Sequence, residues 1–145
     1  METQSGTPGP AVGAELRRLS GHPDGRGRLD AADLDEALGA PAARFFVVTG
    51  VPPGITRGGH ALRRGRELLV CPAGSCTVEC ETGTGRATFV LDDPGLALHL
   101  PPKVWVTYRH ATATTALVVL CTEPFDPADM VRDHAEFLAL AGTGP

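Results

Sequence analysis

The sequence predicts an all-β domain, an antiparallel barrel or sandwich followed by one C-terminal α-helix. Short runs rich in Val, Leu, Phe and Thr recur between Gly- and Pro-containing turn signals from residue 44 to residue 122. After them the apolar spacing changes to that of a helix. The length of 145 residues holds one domain. Each element follows from its own residues.

Residues 1–13 (METQSGTPGPAVG) are rich in Gly, Pro and Ser and predict a disordered tail, leaving 14–142 as a single domain. The N-terminus lacks the basic and apolar regions of a signal peptide, and no apolar run reaches ~18 residues. A cytoplasmic protein without a membrane span is therefore expected. In "AELRRLSGHPDGRGRLDAADLDEA" a short apolar stretch turns at Pro23, Asp24 and Gly25 and then resumes. "RFFVV" is a strand ended by Gly50, Pro52 and Pro53. "RELLVCPAGSCTVECETGTG" reads as strand, turn at Pro72–Gly74, strand and Gly-rich hairpin. "RATFVL" alternates cleanly, and "LALHL" and "WVTYRH" form a pair interrupted by Pro101 and Pro102. The near-continuous apolar run "ALVVLC" suits a strand with neighbours on both sides. Asp126, Pro127 and Asp129 predict a helix start, with Met130, His134, Phe137, Leu138 and Ala141 on one face and Gly142 as the stop.

Charge excludes one class of partner. Thirteen Lys and Arg against seventeen Asp and Glu give a net charge of -4, with no basic stripe for nucleic acid. The four cysteines, Cys71, Cys76, Cys80 and Cys121, have neither CxxC nor zinc-knuckle spacing. They read as reduced, buried thiols and not as nucleophiles.

Two spaced motifs point further. From Gly54 the chain follows G(X)5HXH(X)4E(X)6G through His60, Glu67 and Gly74, with Leu62 at the second histidine position. From Gly95 it follows G(X)5PXG(X)2H through Pro101, with Lys103 at the glycine and Val106 at the histidine. Both patterns resemble those of the cupins, which implies a double-stranded β-helix, the jelly-roll barrel. Over roughly residues 26–140, "RFFVVTGVPPGITRGGHA", "LLVCPAGSCTVE", "LDDPGLALHLPPKVW" and "ALVVLCTEPFDPADMVRDHAEF" resemble the sugar-nucleotide 3,4-ketoisomerase family. That resemblance implies a small-molecule substrate, dTDP-4-keto-6-deoxyglucose, a homodimer, no metal, and a histidine pair moving protons between C3 and C4. The chain departs from the family at Leu62, which replaces the second histidine of RGxHAHK. Val47 and Thr49 stand where tyrosines are common, Arg66-Glu67 where His-Gln is usual, and Val106 where a polar residue is common. Arg57 matches.

These residues set the chemical expectations. Only His60 and Glu67 remain at ligand positions, too few for a metal, so neither metal nor cofactor is expected. His60, Tyr108 and Glu67 are the candidate catalytic groups, because isomerisation requires a proton to leave one carbon and reach the next. Each has a structural alternative: His60 as a hydrogen-bonded strand residue, Glu67 and Tyr108 as exposed strand-end residues. Arg57, Val47, Thr49, Leu62, Trp105, Val106 and His99 are the candidate substrate contacts. Because Val47, Leu62 and Val106 are apolar, the leading expectation is a metal-independent isomerase or cyclase. It would hold an apolar, polyketide-like substrate for a pericyclic-type cyclisation. The alternatives are the 3,4-ketoisomerase reaction itself, a non-catalytic small-molecule-binding cupin, or a non-catalytic partner of an intact ketoisomerase.

Overall fold

Strand periodicity in this chain builds two antiparallel sheets that share an apolar interior. The computed structural model describes residues 13–143 and the strand Glu2–Gln4. The chain opens with β1 (Glu2–Gln4), β2 (Glu15–Arg18), the hairpin β3 (Ser20–Asp24) and β4 (Gly27–Ala31), and α1 (Leu34–Leu38). There follow β5 (Arg44–Val48), β6 (Thr56–Leu62), β7 (Glu67–Ala73), β8 (Cys76–Glu81) and β9 (Arg86–Leu91). The remainder comprises β10 (Leu96–Leu100), β11 (Trp105–His110), β12 (Ala116–Cys121), a 3-10 turn at Pro127–Asp129, β13 (Met130–Val131) and α2 (His134–Thr143).

One sheet runs β1-β2-β10-β7-β12-β5 and the other β13-β6-β11-β8-β9, with β3-β4 as a separate ribbon. This is the jelly-roll expected from the motif spacing. Alternation decides which side chains fill it. Ala87, Phe89 and Leu91 of β9 and Leu117, Val119 and Cys121 of β12 enter the interior. On β10, Leu96, Leu98 and Leu100 do the same, while Ala97 joins Leu68 beneath Ala37 and Leu38 of α1. β12 does lie between two neighbours, β7 and β5.

Backbone geometry explains the motif glycines. Gly74 has φ +79, and a Cβ there would lie 2.8 Å from the Thr115 Cα, so only glycine fits. Lys103, at the motif's other glycine position, adopts φ 64. The left-handed conformation costs about 1–2 kcal/mol for a side-chain-bearing residue. It is held by the Lys103 N–H donating to the Leu62 carbonyl at 2.7 Å.

Two expectations change. Within the predicted tail, Glu2–Gln4 pairs with β2; residues 1 and 5–12 lie outside the described residues. The helix starts later than predicted. Asp126 caps only the 3-10 turn, accepting from the Ala128 N–H at 2.9 Å. The chain then extends as β13, pairing Met130 with Leu62 and Val131 with Ala61. Asp133 starts α2, its side chain accepting from the Ala135 N–H at 3.1 Å. Asp133 and Glu136 have capping-box spacing, a signal present in the sequence. Met130 is thus a strand residue, Phe137 is fully buried against Ala61 and Val131, and Leu138 is exposed. The helix continues through Gly142 to Thr143.

All four cysteines are free and buried. Burial pushes the Cys76 and Cys80 thiols up to about 12 and the Cys121 thiol up to about 11. Thiolate nucleophiles are not available at neutral pH. Among the described residues no helix is long and apolar enough to cross a membrane.

Candidate active site

A β-bulge in β6 aims the candidate site. Val106 of β11 pairs with His60, yet the next residue, Thr107, pairs with Gly58, so Gly59 is extra. Residues 57 and 60 ordinarily face opposite sides of a strand; across the bulge Arg57 and His60 line the same cleft. Gly58 permits this approach. At φ +83, a Cβ on it would stand 2.7 Å from the Val106 carbonyl oxygen and 3.3 Å from the Tyr108 ring.

The cleft has a volume of about 380 Å³ and opens between β5, β6, β11 and β13. Its polar wall is Thr49, Arg57, His60, Tyr108 and Arg132; Phe46, Val47 and Met130 supply the apolar part. Tyr108 is 6% exposed. Burial pushes its phenol above the ordinary value, while the Arg57 guanidinium against it pulls the other way. At neutral pH it is an uncharged donor whose phenolate would have a cation beside it.

Glu67 lies behind His60. Its Oε1 is 3.7 Å from the His60 Nε2, and its Oε2 is 3.8 Å from the Cys121 thiol. At 5% exposure it is buried, and it does not line the cleft. His110 stacks on Tyr108, with ring centroids 5.9 Å apart. It is 2% exposed, and among the described residues neither ring nitrogen makes a hydrogen bond of full geometry, with the Thr115 backbone as its polar neighbour. Desolvation lowers its pKa, the Thr115 backbone pulls it up, and the Arg57 charge lowers it further.

Of the predicted residues, the structure brings together His60, Tyr108, Arg57, Val47 and Thr49, with Glu67 one layer behind. Leu62 and Val106 are 6% and 2% exposed and line the core, not the cleft. Leu62 packs toward the Gly65 turn. His99 faces away from the barrel interior because it follows Ala97 on the α1 side of β10, and its Nε2 lies 3.2 Å from the Leu38 carbonyl. Trp105 also faces outward, its ring 5.0 Å from that of His134 and 5.5 Å from that of Phe137. His99 and Trp105, expected as substrate contacts, do not line this cleft: His99 meets the end of α1 and Trp105 packs against α2. The apolar trio does not form one cavity wall either. Val47 stands half exposed at the rim while the other two are packed away, and the cleft carries two arginines. Phe46, Met130 and Arg132, absent from the candidate contacts, also line the cleft. Met130 was expected on a helical face, and taking Asp133 as the cap frees both it and Arg132 for the cleft.

Among the described residues no group of three or more His, Cys, Asp or Glu side chains is placed to hold a metal ion. What the cleft offers is one imidazole, one phenol and two guanidinium groups. That set can move protons on a substrate carrying negative charge.

Comparison with known proteins agrees with this chemistry. The family described as FdtA: WxcM-like, C-terminal matches residues 12–142. A TDP-4-oxo-6-deoxy-alpha-D-glucose-3,4-oxoisomerase from Aneurinibacillus thermoaerophilus is 27% identical over 114 residues, covering 79% of this chain and 82% of that one. A sugar 3,4-ketoisomerase from Thermoanaerobacterium thermosaccharolyticum, solved with TDP, superposes with a TM-score of 0.87 at 24% identity, over 92% of this chain and 97% of its own. A 3,4-ketoisomerase from Helicobacter canadensis gives a TM-score of 0.85 at 22% identity, over 90% and 98%. The relatives are isomerases, and this chain is an enzyme of isomerase type. The expected polyketide cyclisation finds no support among them.

Proposed function

The chain belongs to the cupin family described as FdtA: WxcM-like, C-terminal, and on that footing we propose that it isomerises a TDP-4-keto-6-deoxyhexose, moving the carbonyl between C4 and C3. The observation that carries the reading is the convergence of His60, Tyr108 and Arg57 on one cleft. Arginine is suited to the diphosphate, which it binds through paired, charge-assisted hydrogen bonds. Arg57 and Arg132 supply that charge at the rim.

The chemistry balances with the groups present. His60 removes the proton from C3 as Tyr108 donates its proton to the C4 oxygen, giving an enediol. The C3 hydroxyl then returns a proton to Tyr108, and His60 delivers one to C4. C3 is oxidised, C4 is reduced, and both side chains end as they began. Tyr108 suits the donor role because its phenol remains protonated at neutral pH.

A homodimer in the cytoplasm completes the proposal. The outer face of the larger sheet exposes Phe45 at 67% and Val47 at 52% beside β5, whose edge is unpaired among the described residues, an apolar area suited to a second copy. Light scattering reads the mass directly.

Calorimetric titration with TDP tests the cleft's preference. Saturable binding that weakens at least tenfold in Arg57→Ala is expected. No TDP binding, with uptake of an apolar polyene instead, would overturn the reading.

A further inference from the structure

The buried carboxylate of Glu67 has a position that the reaction scheme above leaves unused. Burying an ionised carboxylate is costly unless a partner compensates it. Among the described residues, the cation-capable side chain in ion-pair contact with Glu67 is His60, at 3.7 Å. Its other oxygen meets a thiol, Cys121, which is 3.5 Å from the Arg44 guanidinium. A glutamine would fill this space without the cost of a charge. The charge therefore has its use when His60 becomes an imidazolium, which happens once it has taken a proton.

The contact also marks which ring nitrogen meets Glu67. With Nε2 turned to Glu67, Nδ1 is the nitrogen left for a substrate. No second base faces the cleft from this strand: Leu62 takes no proton, and no carboxylate lines the cleft among the described residues. Histidine–carboxylate contacts longer than a hydrogen bond commonly tighten when substrate binds. Resting on the isomerase reading, we propose that Glu67 is the positioning residue of a one-base shuttle. It holds the Nε2–H of His60, so that Nδ1 takes the proton from C3 and returns that same proton to C4 on the same face of the sugar. The C3–H and C4–H bonds exchange through one Nδ1–H, and Tyr108 handles both oxygens.

Two measurements on the full chain test this. Nitrogen-15 NMR of histidine-labelled protein, with His60→Asn to identify the signal, should find His60 in the Nε2–H tautomer. Glu67→Gln should mix the tautomers and lower kcat about 10–100-fold, the range for groups that orient a reacting ligand, with KM within threefold. Glu67→Asp, which keeps the charge, should restore the tautomer and part of kcat. The second measurement uses 3-deuterated TDP-4-keto-6-deoxyglucose in ordinary water, where early product should carry most of its deuterium at C4. An unchanged tautomer and kcat in Glu67→Gln would overturn the role of Glu67, and complete loss of deuterium in the first turnover would overturn the single base. If no TDP-sugar reacts, the isomerase reading fails by itself, and the tautomer still decides whether Glu67 orients His60.

Discussion

His110 gives the sharpest test of the folded structure, because it is a buried imidazole whose polar neighbour among the described residues, the Thr115 backbone, falls short of a full hydrogen bond to either nitrogen. An unsatisfied buried polar group costs about 1–3 kcal/mol, so His110→Leu should stabilise the protein by about 1–2 kcal/mol at pH 7.5. The pH dependence follows from the sign of the shift. Both His110 and His99 have folded pKa values below the ordinary 6.5, driven first by desolvation. As pH falls through 6.5 the unfolded chain gains protons that the folded chain refuses, so stability is lost from there downward and is unaffected above. Each histidine can cost at most about 1.4 kcal/mol per pH unit in that window, so the pair takes up to roughly 3 kcal/mol between pH 7.5 and 5.5. At a few degrees per kcal/mol this bounds the fall in Tm of the native chain at roughly 10 °C. Losing His110 should make the fall smaller. The carboxylates held low by arginines, Asp93 and Asp126, titrate below this window. Thermal melts at the two pH values measure the difference. Equal falls in Tm for the native chain and His110→Leu, with no gain at pH 7.5, would refute the burial argument.

Other substitutions probe the cleft and its support. Tyr108→Phe should lower kcat ~10²–10⁴-fold, the range for a general acid, while TDP affinity stays within a few-fold; steady-state kinetics with calorimetry reads both. Leu62→His puts an imidazole at a position only 6% exposed. It should cost about 1–3 kcal/mol in urea denaturation and raise turnover by less than about tenfold. A rise above a hundredfold would mean that a second base reaches the sugar from there. Phe137→Ala removes the fully buried anchor of α2 against β6 and should cost about 3–5 kcal/mol in denaturant melts.

Motif spacing made the barrel legible, because a jelly-roll repeats its turns at fixed distances. Gly74 and Lys103 both sit at left-handed positions, the first closed to any side chain and the second filled by lysine. Side-chain direction was less legible. Strand parity puts Leu62 beside His60 and gives no reason for residue 57 to share that face; Arg57 was expected in the site from the family match alone, and the bulge at Gly59 supplies the geometry. The Gly58-Gly59 pair was the visible hint. His99 and Trp105 looked like pocket residues because a strand's sequence does not say which of its faces a helix will cover. The valine and leucine substitutions suggested an apolar cavity only while they were assumed to share one wall. The late start of α2 hid Met130 and Arg132, since Asp126 and Asp133 are both credible caps and only tertiary pairing of β13 with β6 separates them.

The central claim is that the residues in this cleft move a sugar carbonyl between adjacent carbons. Carbon-13 NMR of TDP-4-keto-6-deoxyglucose labelled at C3 and C4, followed in time with the native chain, reads it without a coupling enzyme. The account predicts that the C4 carbonyl signal declines as a C3 carbonyl signal appears, at a rate that collapses in His60→Asn. A C4 carbonyl unchanged after prolonged incubation with protein that binds TDP would contradict it.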